Sequence, residues 1–121
     1  MDDPDAPISS IYTYAGAHKT CVLRENFKGG KAIFVVPPFP IKCGGAPLKA
    51  MFLSEDTFRR NKIEAECHLY SAPPVFFPPC KKFSDALEPI AAAKGIKAHF
   101  KQVITEIDKD RRVAMFKNAD G

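Results

Sequence analysis

The spacing of apolar positions changes along the chain, and each change marks an element. Ile8 to Tyr14 (ISSIYTY) is rich in β-branched and aromatic residues and stops before Gly16, which predicts a short strand. His18 to Asn26 predicts a short helix closed by Gly29-Gly30. Lys31 to Val36 (KAIFVV) is apolar without a break after its first residue, the pattern of a strand covered on both faces in a parallel sheet. Pro37, Pro38 and Pro40 then forbid ladder and helix alike, and a loop with Cys43-Gly44-Gly45 follows. Leu48, Met51, Phe52 and Phe58 recur at helical spacing behind Pro47, so a helix is expected over 47–60, its apolar stripe interrupted by Glu55. Residues 63–70 alternate Ile63, Ala65, Cys67 and Leu69 against Glu64, Glu66, His68 and Tyr70, a strand with one inward face.

Four prolines in Ser71 to Pro79 dictate a loop, which carries Phe76 and Phe77. A second helix is expected from Ser84 or Asp85 to Lys94, with Leu87, Ile90 and Ala91 on one side, Pro89 inside it and Gly95 as its stop. Ile96, Ala98 and Phe100 alternate as a third strand. Val103 to Ile107 and Arg112 to Phe116 flank a turn at 108–111 and predict a β-hairpin; Asp120-Gly121 opens another turn. The order of elements is that of an α/β domain, Rossmann-like, with a parallel sheet, right-handed crossovers and a C-terminal hairpin. Residues 1–7, with Pro4 and Pro7, read as a flexible N-terminal arm and 8–121 as one domain segment. An ending at a turn leads us to expect further chain.

Composition narrows the classes. A chain of 121 residues has room for one domain, and 45 % hydrophobic with 26 % charged residues excludes disorder, collagen and coiled coil. No apolar run reaches the ~18 residues of a membrane-spanning helix. The start Met1-Asp2-Asp3-Pro4-Asp5 is neither a secretory signal nor a transit peptide. The net charge of +4 is spread in pairs such as Arg59-Arg60, Lys81-Lys82 and Arg111-Arg112, a solvated surface rather than a basic, aromatic nucleic-acid face.

Candidate chemistry centres on cysteine. Cys21, Cys43, Cys67 and Cys80 contain no CxxC, so zinc and dithiol spacings are missing, and reduced thiols are the default. Cys67 alternates inward and belongs to the core, Cys21 packs, and Cys80 precedes Lys81-Lys82 in a loop. His18, His68 and His99 have no ligand spacing, and no serine has a nucleophile-elbow pattern. Phe76 and Phe77 suit either burial or contact with a lipid, a quinone or a partner domain. Lys42-Cys43-Gly44-Gly45-Ala46-Pro47 lies after a strand and before a helix, where open α/β sheets bind ligands. It lacks G-x-G-x-x-G, and Glu64 or Glu66 only loosely supplies the acid of a NAD site. Two readings stand for Cys43. In one, the helix N-terminus and Lys42 favour a nucleophilic thiolate, and the glycines let a cofactor ring approach. In the other, Cys43 fills a tight turn whose glycines serve positive φ.

Asn26 to Phe34 (NFKGGKAIF), Pro40 to Lys49 (PIKCGGAPLK), Phe58-Arg59-Arg60, Lys81 to Leu87 (KKFSDAL) and the hairpin near Thr105 to Phe116 resemble sulfide:quinone oxidoreductases of the eukaryotic mitochondrial type, a likeness running from Ile8 onward. The resemblance implies a flavoprotein with two Rossmann-like domains, related to the pyridine-nucleotide disulfide reductases, of which this chain is the second, middle domain. It implies oxidation of hydrogen sulfide to sulfane sulfur held as a persulfide on a cysteine pair. Electrons would pass through FAD to ubiquinone, and the sulfur to an acceptor such as sulfite or a thiol. Cys43 takes the place of one redox cysteine, and Lys42, Gly44 and Gly45 would lie near the flavin. A mitochondrial location on the inner membrane is implied through segments absent here. The FAD-binding glycine fingerprint is also absent, none of Cys21, Cys67 and Cys80 matches the second redox cysteine, and Pro73 to Cys80 departs from the family's loop. The chain alone is therefore expected neither to hold FAD tightly nor to turn over: a fragment, a partial gene model or a divergent remnant. Two alternatives are a non-catalytic Rossmann-like module, carrying a persulfide on Cys43 or binding a partner chain, and an NAD-dependent domain.

Overall fold

The computed structural model describes Asp3 and residues 5–120. Its elements are α1 (Tyr14–Glu25), β1 (Gly30–Val36), α2 (Ala46–Arg60), β2 (Ala65–Ser71), α3 (Lys81–Ala93), β3 (Lys97–Phe100), β4 (Gln102–Asp108) and β5 (Val113–Asn118). Strands β1, β2 and β3 form a parallel sheet in that order, with Ile33 opposite His68 and Tyr70 opposite His99. Strands β4 and β5 form a separate antiparallel hairpin with a bulge between Ile104 and Glu106. Asp108 Oδ1 accepts from the N–H groups of Asp110 and Arg111 and closes the hairpin turn. The α/β reading with a parallel sheet and hairpin thus holds.

The expected strand at 8–14 does not form. Residues 8–10 have no regular structure, 11–13 turn, and the helix starts four residues before the predicted His18. Thr13 is the reason: its Oγ1 accepts from Gly16 N at 3.0 Å and caps α1. Gly16 ends nothing; a Cβ there would lie 2.0 Å from Ser10 O, so only glycine lets the chain cross the helix at this point. Helix α3 likewise starts early, at Lys81, and contains Pro89, whose lost hydrogen bond falls on an exposed side. Ile90 is exposed rather than grouped with buried Ala91. Of the final turn, Gly121 lies outside the described residues, as do Met1, Asp2 and Pro4 of the arm. Within that arm Asp3 pairs with Lys109 at 2.7 Å and Ala6 is buried.

The core lies between the sheet and the helices α2 and α3, and joins Val36, Leu48, Met51, Phe58, Cys67, Leu69, Ala91 and Ile96. Each large apolar side chain buried there contributes about 1.5–3 kcal/mol. Glu55, the break in the apolar stripe of α2, is buried against Lys94 at the end of α3 (3.0 Å) and meets Arg59 at 3.4 Å. An ion pair therefore stands where α2 and α3 need a polar bridge. Helix α1 packs on α2 instead of the sheet. Among the described residues no helix consequently covers the second sheet face, and the expected burial of β1 on both faces fails: Ile33 is 44 % exposed, and only Val36 of the strand is buried.

On that second face His68 and His99, 31 residues apart in sequence, meet edge to edge. Their Nδ1 and Nε2 atoms are 3.1 Å apart and their ring planes differ by 4°. Glu66 accepts from His68 Nε2 at 3.3 Å, which leaves His68 Nδ1 to accept from His99 Nε2–H. Tyr70 stacks on His99 and on Phe116 of β5, and so ties the hairpin to the sheet.

Candidate functional site

The connection from β1 to α2 presents Cys43 at the C-terminal edge of the sheet, and its side chain is exposed. Pro37, Pro38 and Pro40 end the strand, Gly45 takes the N-cap position without a side-chain cap, and Pro47 stands in the first turn. The Cys43 carbonyl accepts from Ala46 N at 3.2 Å and from the Tyr12 hydroxyl at 3.1 Å. The helix-start N–H thus goes to the carbonyl, and among the described residues no hydrogen bond reaches Cys43 Sγ. Burial, and then the nearby Cys43, push the Tyr12 phenol above its ordinary range. The predicted strand at 8–14 concealed Tyr12; no local sequence signal places it against a loop 31 residues away.

The two glycines divide the roles expected of them. Residues 43–46 do form a tight turn, closed by Ala46 N on Cys43 O, but neither glycine has positive φ, so that part of the turn reading does not hold. A Cβ on Gly44 would meet Phe39 at 3.1 Å and Phe77 at 3.3 Å, so the close approach there is made by the chain's own aromatic rings. At Gly45 a Cβ would meet nothing within 4 Å. Lys42 is exposed, with no ion pair among the described residues.

The remaining candidates separate by environment. Cys67 is buried, and burial together with the Glu55 charge pushes its thiol up to about 11. Cys80, expected in a loop, is the N-cap residue of α3 and is half-buried. Cys21 lies on α1 within 3.4 Å of Arg24 and Glu25. Phe76 is buried edge-on against Phe100, while Phe77 reaches the exposed Phe83. Pro38, Phe39, Pro73, Pro74 and Pro78 line an open apolar groove of about 400 Å³ that Val103 and Ala119 close on the hairpin side. Among the described residues no three metal-ligating side chains converge.

As a cradle for FAD the loop does not fit. A phosphate-gripping turn needs successive free N–H groups. The N–H groups of residues 41–45 have no hydrogen-bond partner among the described residues, but the G-x-G-x-x-G spacing is missing, the Ala46 N–H is spent on Cys43 O, and two phenylalanines crowd the approach to Gly44.

Among known proteins, the chain is 34 % identical over 122 residues to the mitochondrial sulfide:quinone oxidoreductase of Schizosaccharomyces pombe, covering 98 % of this chain and 26 % of the relative. It is 33 % identical over 116 residues to that of Dictyostelium discoideum (94 % and 26 %) and 34 % identical over 115 residues to that of Mus musculus (93 % and 25 %). The chain therefore spans about a quarter of the length of the curated relatives it matches. No family model matches it. A chain of the Tetrahymena thermophila mitochondrial ATP synthase structure superposes with TM-score 0.76 at 17 % identity, covering 98 % of this chain and 31 % of that one. The water-forming NADH oxidase of Lactobacillus brevis bound to NADH does so with TM-score 0.52 at 15 % identity, covering 94 % and 24 %. These structural likenesses speak for the fold alone. No described helix is long and apolar enough to cross a membrane. By sequence, the chain is a relative of the mitochondrial sulfide:quinone oxidoreductases, matching one segment of about a quarter of their length.

Proposed function

We propose that residues 8–121 are the second Rossmann-like domain of a sulfide:quinone oxidoreductase and that Cys43 is its sulfur-carrying redox cysteine. The observation that carries this reading is an exposed thiol on a loop whose backbone is held from two sides, at the sheet edge where α/β folds place their ligands. The chemistry is exchange. A Cys43 thiolate attacks a sulfane sulfur, the old S–S bond breaks, a new one forms at Cys43, and the leaving sulfur takes the electron pair. Exchange alone is redox-neutral. Oxidising hydrogen sulfide to sulfane sulfur also removes two electrons, which in the full-length protein go to FAD and ubiquinone, both held outside this chain. Lys42 and Gly45 would border that flavin more openly than Gly44, which is already covered. The sulfur then leaves to sulfite or a thiol. A mitochondrial location follows the relatives' names, and association with the inner membrane is part of this proposal.

The exposed Cys43 thiol also suits a second reading, a persulfide carrier without redox turnover. The test is peptide mapping after treatment with inorganic polysulfide. Gain of one sulfur at Cys43, lost in Cys43→Ser, is expected; uptake at Cys80 or Cys21 with Cys43 untouched overturns the assignment. In a longer polypeptide containing this chain, sulfide-dependent quinone reduction that Cys43→Ser abolishes supports the enzyme. Sulfur uptake with no quinone reduction supports the carrier.

A further inference from the structure

We propose that Tyr12 is the positioning residue for Cys43: its hydroxyl fixes the carbonyl of the reacting cysteine, while Phe39 and Phe77 grip the next residue, Gly44. The inference rests on the assignment of Cys43 as the sulfur-carrying residue. Three observations support it. Tyr12 comes from outside the strand–helix unit, yet its Oη lies 3.1 Å from Cys43 O, beside the bond from Ala46 N at 3.2 Å. Two donors thus converge on one carbonyl, which fixes the peptide that carries the thiol. A Cβ on Gly44 would come within 3.1 Å of Phe39 and 3.3 Å of Phe77, so the two rings crowd the peptide on that side. Burial, and after it the neighbouring Cys43, push the phenol above its ordinary range, in keeping with a hydroxyl seated beside that residue.

A backbone held in this way keeps Sγ exposed in a narrow range of directions, which an in-line attack on an S–S bond requires. Removing the hydroxyl leaves the ring and its packing in place. Loss of one such hydrogen bond corresponds to roughly a three- to tenfold slower reaction.

The test compares wild type with Tyr12→Phe in the full chain. Sulfur uptake by Cys43 from inorganic polysulfide is expected to slow about three- to tenfold. Alkylation of Cys80 in the same molecules and the melting temperature should stay unchanged. A readout that general loosening would not move is the phenolate absorbance of Tyr12, isolated as the difference from Tyr12→Phe: Cys43→Ser should shift its titration to lower pH. This arm does not depend on Cys43 carrying sulfur. Unchanged uptake in Tyr12→Phe overturns the role of Tyr12, and a phenol titration indifferent to Cys43→Ser overturns its seat beside the thiol. Wild-type protein that takes up no sulfur at Cys43 while the phenol still responds overturns the assignment of Cys43 instead. Should Tyr12→Phe fail to fold, the phenol is followed in wild type and Cys43→Ser by isotope-labelled tyrosine resonances. A Tyr12 titration moved to lower pH by Cys43→Ser then supports the contact, and an unmoved one overturns it.

Discussion

Two crossovers leave the C-terminal ends of β1 and β2, and they resemble each other. Each is rich in proline, each carries phenylalanine, and each delivers a cysteine beside lysine to the start of a helix: Lys42-Cys43 ahead of α2, Cys80-Lys81 at α3. Helix dipole and adjacent charge are therefore common to both and cannot distinguish them. Position relative to the helix does. Cys80 is the N-cap residue itself; its N–H goes to Phe77 O, its carbonyl accepts from Ser84 N, and its side chain is half-buried. Cys43 stands two residues further out, behind Gly44-Gly45, exposed and with its carbonyl held by Tyr12. What sets the two thiols apart is thus the spacer and what holds it, not the helix.

The sharpest contrast adds Cys67, beneath the same sheet. With its thiol pushed up to about 11 and its side chain buried, Cys67 should alkylate at pH 7 at least about a hundredfold more slowly than Cys43. Quenched labelling followed by peptide mapping measures this, and comparable rates would erase the contrast. Met51→Ala is a way to break it. Met51 is fully buried in α2, and its loss should cost about 2–5 kcal/mol by denaturant melt and open Cys67 to reagent.

The two glycines offer a finer comparison. Gly44→Ala forces Phe39 and Phe77 to give way and should cost about 1–3 kcal/mol, while altering the rate at Cys43 and leaving Cys80 alone. Gly45→Ala meets open space and should change stability by less than about 0.5 kcal/mol. Equal effects of the two would mean that the aromatic grip plays no part.

The smallest effect belongs to the second sheet face. Burial first, then the neighbouring His68 and Lys97, hold His99 below the usual imidazole range. The unfolded chain therefore binds more protons below the ordinary histidine range, so stability is full above about pH 6.5 and falls as pH drops through it. Glu66, Lys31 and Lys97 are the charged neighbours. His99→Asn should flatten melting temperature against pH between about 5 and 7; an unchanged slope contradicts the lowered titration of His99.

Much of the architecture was legible because it is local. Alternation at Cys67 and Leu69, the helical spacing of Leu48, Met51 and Phe58, and the turn at Asp108 each report their own surroundings. The failures are of two physical kinds. A cap outweighed propensity where Thr13 began α1 inside a β-prone stretch, whereas α3 started at Lys81 with no side-chain cap. Long-range partners had no local sign: Tyr12 with Cys43, His68 with His99, Glu55 with Lys94, and the bare sheet face beside Ile33. Of the site, Cys43 and its loop could be read in sequence, since strand, glycines and helix start are adjacent. The groups that hold the loop arrive from elsewhere in the chain.

The most direct measurement is competition for a limiting alkylating reagent among the four thiols of the native chain at neutral pH, read by peptide mapping. Cys43 should be labelled first, Cys80 and Cys21 behind it, and Cys67 last. Labelling of Cys80 ahead of Cys43 would show that the spacer and the Tyr12 contact confer no advantage, and would remove Cys43 as the sulfur-carrying residue.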